Sequence, residues 1–182
     1  MIAPGKEYTK AVLLSLRKEF VPAIFDGTKK AEYRKTFPQS FEGPVFVYEC
    51  GPKSRHKVVG FFRTKCVAKI HPSLMASESA RNRVLDAAEI SGMPDEEFEE
   101  LLTMTPDEPA VCIVPVLEPT LFKRPLSLDE FTDLAEAEPE CRKPPMSWKE
   151  TTVKTKFILP DTKEKRTMKP EQTDLFGKET EK

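Results

Sequence analysis

The stretch "FDGTKKAEYRK", Phe25 to Lys35, holds the side chains best suited to chemistry. If it is extended after Gly27, Lys30, Glu32 and Arg34 share one face and Ala31 and Tyr33 the other. A carboxylate flanked by cations accepts hydrogen bonds from amino groups, and the cations take phosphate or another anion. In such a site Glu32 is the acceptor, Arg34 orients it or reaches a phosphate, and Lys29 is a point charge where the strand starts. Lys29 and Glu32 are also the candidate catalytic pair, an acid and a base for proton transfer at a scissile bond. Two plainer arrangements use the same residues: a solvated edge strand guarded by charge, or an ion pair that braces the fold.

Other residues extend the pattern. A nucleobase offers a flat π-face, and Tyr48 or Trp148, the single tryptophan, can stack on it. Trp148 equally suits plain packing at the end of a domain. The loop "GPKSRH" and the residue after it supply Lys53, Arg55 and Lys57, which with Lys30 are candidate phosphate contacts; an ordinary exposed turn has the same composition. Cys50, Cys66, Cys112 and Cys141 lie far apart, with no C-x-x-C pair and no histidine cluster beside them. Reduced, mostly buried thiols are expected, and neither a metal nor a cofactor.

The elements that must position these groups follow from hydrophobic pattern. "AVLLSL" (Ala11 to Leu16) reads as a buried strand, and Phe20, Ala23 and Ile24 have the spacing of a short helix with Pro22 in its first turn and Gly27 at its end. The charged stretch is the second strand. "GPVFVYEC" (Gly43 to Cys50) and "KVVGFFRTKCVAKI" (Lys57 to Ile70) read as strands three and four, joined by the basic loop. Helical spacing takes over in "SLMASESARNRVLDAAEISG", where Ala80, Val84 and Ala88 repeat, and in "MPDEEFEELLTM". "PAVCIVPVLEP" and "TLFKRPLSL" read as a strand pair made irregular by Pro115 and Pro119, and "SLDEF" as a helical turn capped by Ser127.

A chain of 182 residues with 38% hydrophobic content fills one core. No run of eighteen apolar residues and no secretory signal is present, so a soluble, cytoplasmic protein without membrane contact is expected. The net charge of -1 hides an asymmetry: residues 1–72 carry a balance of +8, residues 73–148 of -11 and residues 149–182 of +2. A basic half on an otherwise acidic chain suits a phosphate-binding face, unless the two halves interleave and cancel in space.

Four features, taken in order, resemble the ASCH domains of the PUA-like superfold. They are the Gly-x-Lys-x-x-Glu-x-Arg pattern at Gly27, Lys29, Glu32 and Arg34; "VFVYECGPKSRHKVVGFF" with Tyr48, Pro52 and Gly60; "FKRPLSLDEF"; and "PPMSW". The resemblance covers about residues 10–149. It implies an α+β fold, a small PUA-like β-barrel flanked by short helices, in which the charged strand lines a central cleft. Relatives in that superfold mostly bind RNA or modified nucleobases, so the expected function is an RNA- or nucleotide-binding module that recognises a base in this cleft. The alternative is a hydrolase of modified nucleosides or RNA, since some small ASCH proteins hydrolyse acetylated cytidine with a lysine, a threonine and a glutamate. Lys29 matches the lysine, but the threonine position falls on Glu32; a carboxylate is no substitute for a hydroxyl nucleophile, and Thr28 is the nearest hydroxyl.

Residues 1–9 are expected to be a flexible lead-in, and residues 150–182, dense in Lys, Glu and Thr, a mostly disordered tail. "TKFILP" (Thr155 to Pro160) is its apolar exception and could dock back as a strand. Further on, Gln172, Asp174, Leu175 and Phe176 resemble the bacterial sliding-clamp-binding motif, departing from it at Thr173. That makes a sliding clamp a second candidate partner, beside RNA or a nucleoside or nucleotide ligand.

Overall fold

Strand alternation explains why "AVLLSL" is apolar at every position but Ser15: its odd and even residues fill two different cores. The structure, a computed structural model, describes residues 7–65, 67–71, 78–79, 82 and 110–158. Strand β1 (Tyr8–Arg17) sits inside a five-stranded sheet with β3 (Gly43–Cys50), β4 (Val58–Thr64), β7 (Leu117–Leu126) and β8 (Trp148–Lys154), in the order β7-β4-β3-β1-β8. β1 runs parallel to β3 and antiparallel to β8. A smaller sheet has the order β2-β6-β5, from β2 (Ala31–Arg34), β5 (Ala68–Ile70) and β6 (Val111–Pro115).

Val12, Leu14 and Leu16 of β1 join Val45, Val47 and Phe62 in one core, together with Cys112 and Val114 of the smaller sheet and Val21 and Ile24 of helix α1 (Val21–Phe25). Ala11 and Leu13 face the other way. There they meet Phe46, Tyr48 and Phe61, covered by Phe131 of helix α2 (Leu128–Ala135), by Cys141, and by Ile158 of helix α3 (Thr155–Ile158). Helix α2 starts where the sequence places it: the Ser127 side chain accepts from the Glu130 amide and the Glu130 carboxylate accepts from the Ser127 amide, a complete capping box.

The mixed α+β class holds, but the expected barrel does not close. Among the described residues, the strand ladders form two separate sheets, joined mainly through packed side chains. At the β8 edge, the Thr152 amide donates to the Glu138 carboxylate at 2.7 Å, where a further strand would otherwise pair. β6 and β7 are neighbours in sequence yet lie in different sheets, so they are not a strand pair, and Lys57 to Ile70 divides into β4 and β5. Ladder partners are chosen by the two cores, and single-strand patterns carry no record of that choice.

The fold also reaches further along the chain than pattern suggests. β1 begins at Tyr8, inside the expected flexible lead-in, and β8 and α3 carry the structure past Lys149 to Ile158. Thr155 to Ile158 is helical, not a docked strand, and buries Ile158. Glu78, Ser79 and Asn82 are helical as expected, while the rest of the two acidic helices and the motif Gln172 to Phe176 lie outside the described residues.

Candidate functional site

Lys29 is positioned by the turn that ends α1. Gly27 takes φ +80°, a region that favours glycine, and Asp26 accepts from both the amide and the hydroxyl of Thr28, at 2.8 and 2.6 Å. The Lys29 amide then donates to the Ala23 carbonyl at 2.8 Å. Its side chain is buried, only 6% exposed, with the ammonium 3.5 Å from Glu32 Oε2 and 5.5 and 5.3 Å from the ring centres of Phe20 and Tyr33. Those rings offer the cation a favourable quadrupole as well as shelter from water.

Glu32 and Arg34 stand opposite Val114 and Cys112 in the β2–β6 ladder. Directly opposed residues share a face, and Val114 and Cys112 belong to the inter-sheet core, so the two charged side chains point inward. Arg34 Nε approaches Glu32 Oε1 to 2.9 Å without hydrogen-bond alignment, so this contact is chiefly electrostatic. Arg34 Nη2 donates to the Ser15 carbonyl at 2.6 Å, and Nη1 lies 3.5 Å from Ser147 Oγ. Ser15 in turn donates its hydroxyl to the Pro145 carbonyl and its amide to the Ser147 carbonyl. One guanidinium thus joins the small sheet to β1 and to the segment before β8.

A buried carboxylate costs several kcal/mol in lost hydration unless cations compensate, and here each oxygen of Glu32 has one. The Arg34 side chain is 18% exposed, more than its neighbours in the group, and forms the solvent side of the cluster.

The other predicted residues have different places. Tyr48 does not join the group: strand alternation puts it with Phe46 in the opposite core, where burial raises its phenol. Trp148 is half-buried against the inter-sheet core, its indole N–H donating to the Thr36 carbonyl at 2.7 Å and its ring 5.9 Å from that of Phe37. It adjoins Ser147 at the border of the Arg34 cluster. Lys30 is exposed, and its carbonyl accepts from the Val116 amide. In the β3–β4 loop, Lys53 is exposed at φ +58° and Lys57 is half-buried. Arg55 is held by Glu49, a carboxylate only 1% exposed, through its amide and its guanidinium.

Sequence reasoning missed Phe20, Ser15 and Ser147. Contacts through a backbone carbonyl leave no side-chain signature, although Phe20 was readable as an aromatic about two helical turns before the Gly27 bend. A cavity of about 440 Å³ beside β8, lined by Lys10, Phe41, Glu138, Lys149 and Thr152 among others, contains none of the predicted site residues. Among the described residues no cluster of His, Cys, Asp and Glu could hold a metal, the described cysteines Cys50, Cys112 and Cys141 are free thiols, and no helix is long and apolar enough to cross a membrane.

Structure comparison finds a similar fold in a single-residue variant of the ASCH protein of Zymomonas mobilis, at 17% identity and a TM-score of 0.51, covering 78% of this chain and 89% of that one. The fold is that of an ASCH domain. Two further structures of the Zymomonas ASCH protein, one of them a single-residue variant, agree at 17% identity and TM-scores of 0.50. No protein-family model matches the sequence, and no curated protein matches it.

Proposed function

We propose that the protein is an RNA- or nucleotide-binding module and that the Lys29–Glu32–Arg34 cluster recognises a base. The observation that carries this reading is the burial of Glu32 between two cations on the inner face of β2. A carboxylate fixed in this way accepts from an exocyclic amino group without having to be ordered on binding, and Arg34 offers N–H donors to ring acceptors on the same base. Trp148, at the border of the cluster, is the ring for stacking, with its N–H already satisfied by Thr36.

Ligand-observed NMR against the common nucleosides and short single-stranded RNAs tests this. Glu32→Gln is expected to weaken binding by roughly 1–3 kcal/mol, the worth of a charged hydrogen bond, and also to lower the melting temperature, because it leaves the buried Lys29 ammonium without its carboxylate. A large fall in melting temperature with no loss of binding makes the cluster a brace and overturns the reading.

One feature favours the hydrolase alternative: the Lys29 ammonium lies 3.5 Å from Glu32, within reach of proton exchange through a small relaxation or one water. The Thr28 hydroxyl donates to Asp26, so this reading needs water as the nucleophile. Hydrolysis of acetylated cytidine or of RNA, lost in Lys29→Met, is the result that would establish it.

A further inference from the structure

Phe20 closes the helical turn Lys18–Phe20 and leads into α1, whose Val21 and Ile24 are anchored in the inter-sheet core. Phe20 itself stands outside both cores and is 37% exposed. A single phenylalanine on a surface needs no explanation by itself. This one has a fixed neighbour, because the Lys29 ammonium lies over its ring, 5.5 Å from the centre. Lys29 is only 6% exposed, so the ring has a buried cation on one side while another part of it meets solvent. Tyr33, the second ring beside Lys29, is half-buried on β2.

A cation over one face of an aromatic ring draws π density toward itself. The opposite face is then poorer in electrons than an ordinary phenyl face, and it stacks best on a wide, electron-rich ring. Purines are wider and richer in electrons than pyrimidines. Two contacts join Phe20 to the carboxylate of the cluster, 5.5 Å from ring centre to ammonium and 3.5 Å from ammonium to Glu32 Oε2. Trp148 stands at the other end, next to Ser147, which Arg34 reaches. The cluster thus has one ring at its lysine end and one at its arginine end. Among the described residues, only the first of these two rings carries a cation over its face.

We propose that Phe20 selects the base: its outer face stacks on the base bound at Glu32, and the Lys29 cation behind it makes that base a purine. The inference rests on the binding reading above and deepens it, naming Phe20 as the residue that chooses and purine as the class chosen. Adenine, guanine and cytosine each carry an exocyclic amino group for a carboxylate, and uracil carries none. Glu32 therefore rejects uracil but cannot separate a purine from cytosine, and that choice falls to the ring. Trp148, with no cation over it, stacks on any base and adds affinity without preference.

Titration calorimetry of the full chain with adenosine, guanosine, cytidine and uridine tests it. The purine nucleosides are expected to bind about tenfold tighter than cytidine, the worth of a good base–aromatic stack. Phe20→Leu keeps an apolar side chain over Lys29 and removes the ring; it should take away that tenfold for the purines and leave cytidine nearly unchanged. Phe20→Tyr, which restores a ring, should restore the preference. Because Phe20 stands outside both cores, Phe20→Leu is expected to keep the parent melting temperature. A parent that binds cytidine as tightly as the purines, or a Phe20→Leu variant whose purine affinity is unchanged, overturns this inference and leaves the base-binding reading standing. So does an equal loss for purines and cytidine in Phe20→Leu, above all with a lower melting temperature, which makes Phe20 a cover for Lys29. Absence of binding by every nucleoside overturns both.

Discussion

Glu49 and Arg55 clamp the β3–β4 loop across six residues: Arg55 Nη2 and Nε lie 3.0 and 3.1 Å from Glu49 Oε2, and the Arg55 amide donates to Oε1 at 2.8 Å. The two partners are unequal. Glu49 is almost wholly buried, whereas the Arg55 side chain is 54% exposed. Arg55→Ala therefore strands a buried carboxylate and is expected to cost about 3 kcal/mol, while Glu49→Gln leaves a hydrated cation and costs about 1 kcal/mol. Urea unfolding of the two variants checks this order, and equal losses would mean that water reaches Glu49.

Salt should govern affinity for RNA. If Lys30, Lys53 and Lys57, the lysines of the expected phosphate contacts, each neutralise a phosphate of a single strand, log K against log salt is expected to slope by roughly -2. Lys53→Glu/Lys57→Glu should flatten it by about one unit and weaken all sequences alike, because phosphate contacts position without specifying. A slope near zero in the parent protein would show that these cations touch no phosphate.

Gly60 is required by space. A Cβ at this position would lie 2.3 Å from the Thr120 carbonyl oxygen and 2.9 Å from Phe25 Cε1, where β4 meets β7 at a register shift. Gly60→Ala is expected to cost about 3 kcal/mol by forcing β7 off the sheet. Hydrogen exchange should show the loss first in β7 amides, and uniform protection would place the strain elsewhere.

The α2 capping box should be visible in acid. The Glu130 carboxyl is lowered to about 2, first by the Ser127 amide and then by Arg124. A carboxyl lowered on folding stabilises the native state above its unfolded value, 4.5, and that contribution is lost as pH falls toward about 2. Ser127→Ala should cost about 1 kcal/mol at neutral pH and, because the backbone amide at 127 still donates to the carboxylate, leave the Glu130 titration, followed by carbon NMR, well below its ordinary range. A Glu130 midpoint that returned to its ordinary range in Arg124→Ala would assign the shift to Arg124 instead.

How far residues alone could be read differs by level. β1, β3 and the Ser127 cap were legible because alternation and capping are local rules. Pairing was not: β6 takes β2 and β5 as partners because Cys112 and Val114 have an inter-sheet core to fill. At the site, alternation placed Glu32 and Arg34 on one face, but it joined to them Lys30, which is exposed, and not Lys29, which came from the ASCH resemblance. Tyr48 could have been excluded by the same alternation, since Val45 and Val47 take the other face. The Ser15 carbonyl beneath Arg34 could not be foreseen, because any residue type supplies that acceptor.

The pairing of β1 with β8 also bears on synthesis. Leu14 meets Trp148 in the ladder, so the flank of one of the first strands to emerge stays open until one of the last is made. At roughly 5–20 residues per second that interval is on the order of ten seconds. Through it Leu13 and Leu14, both fully buried in the finished fold, lack the strand that completes their sheet. A nascent chain stalled before Trp148 should therefore be a ready client for chaperones, and release of the β8 segment should be the event that ends that dependence.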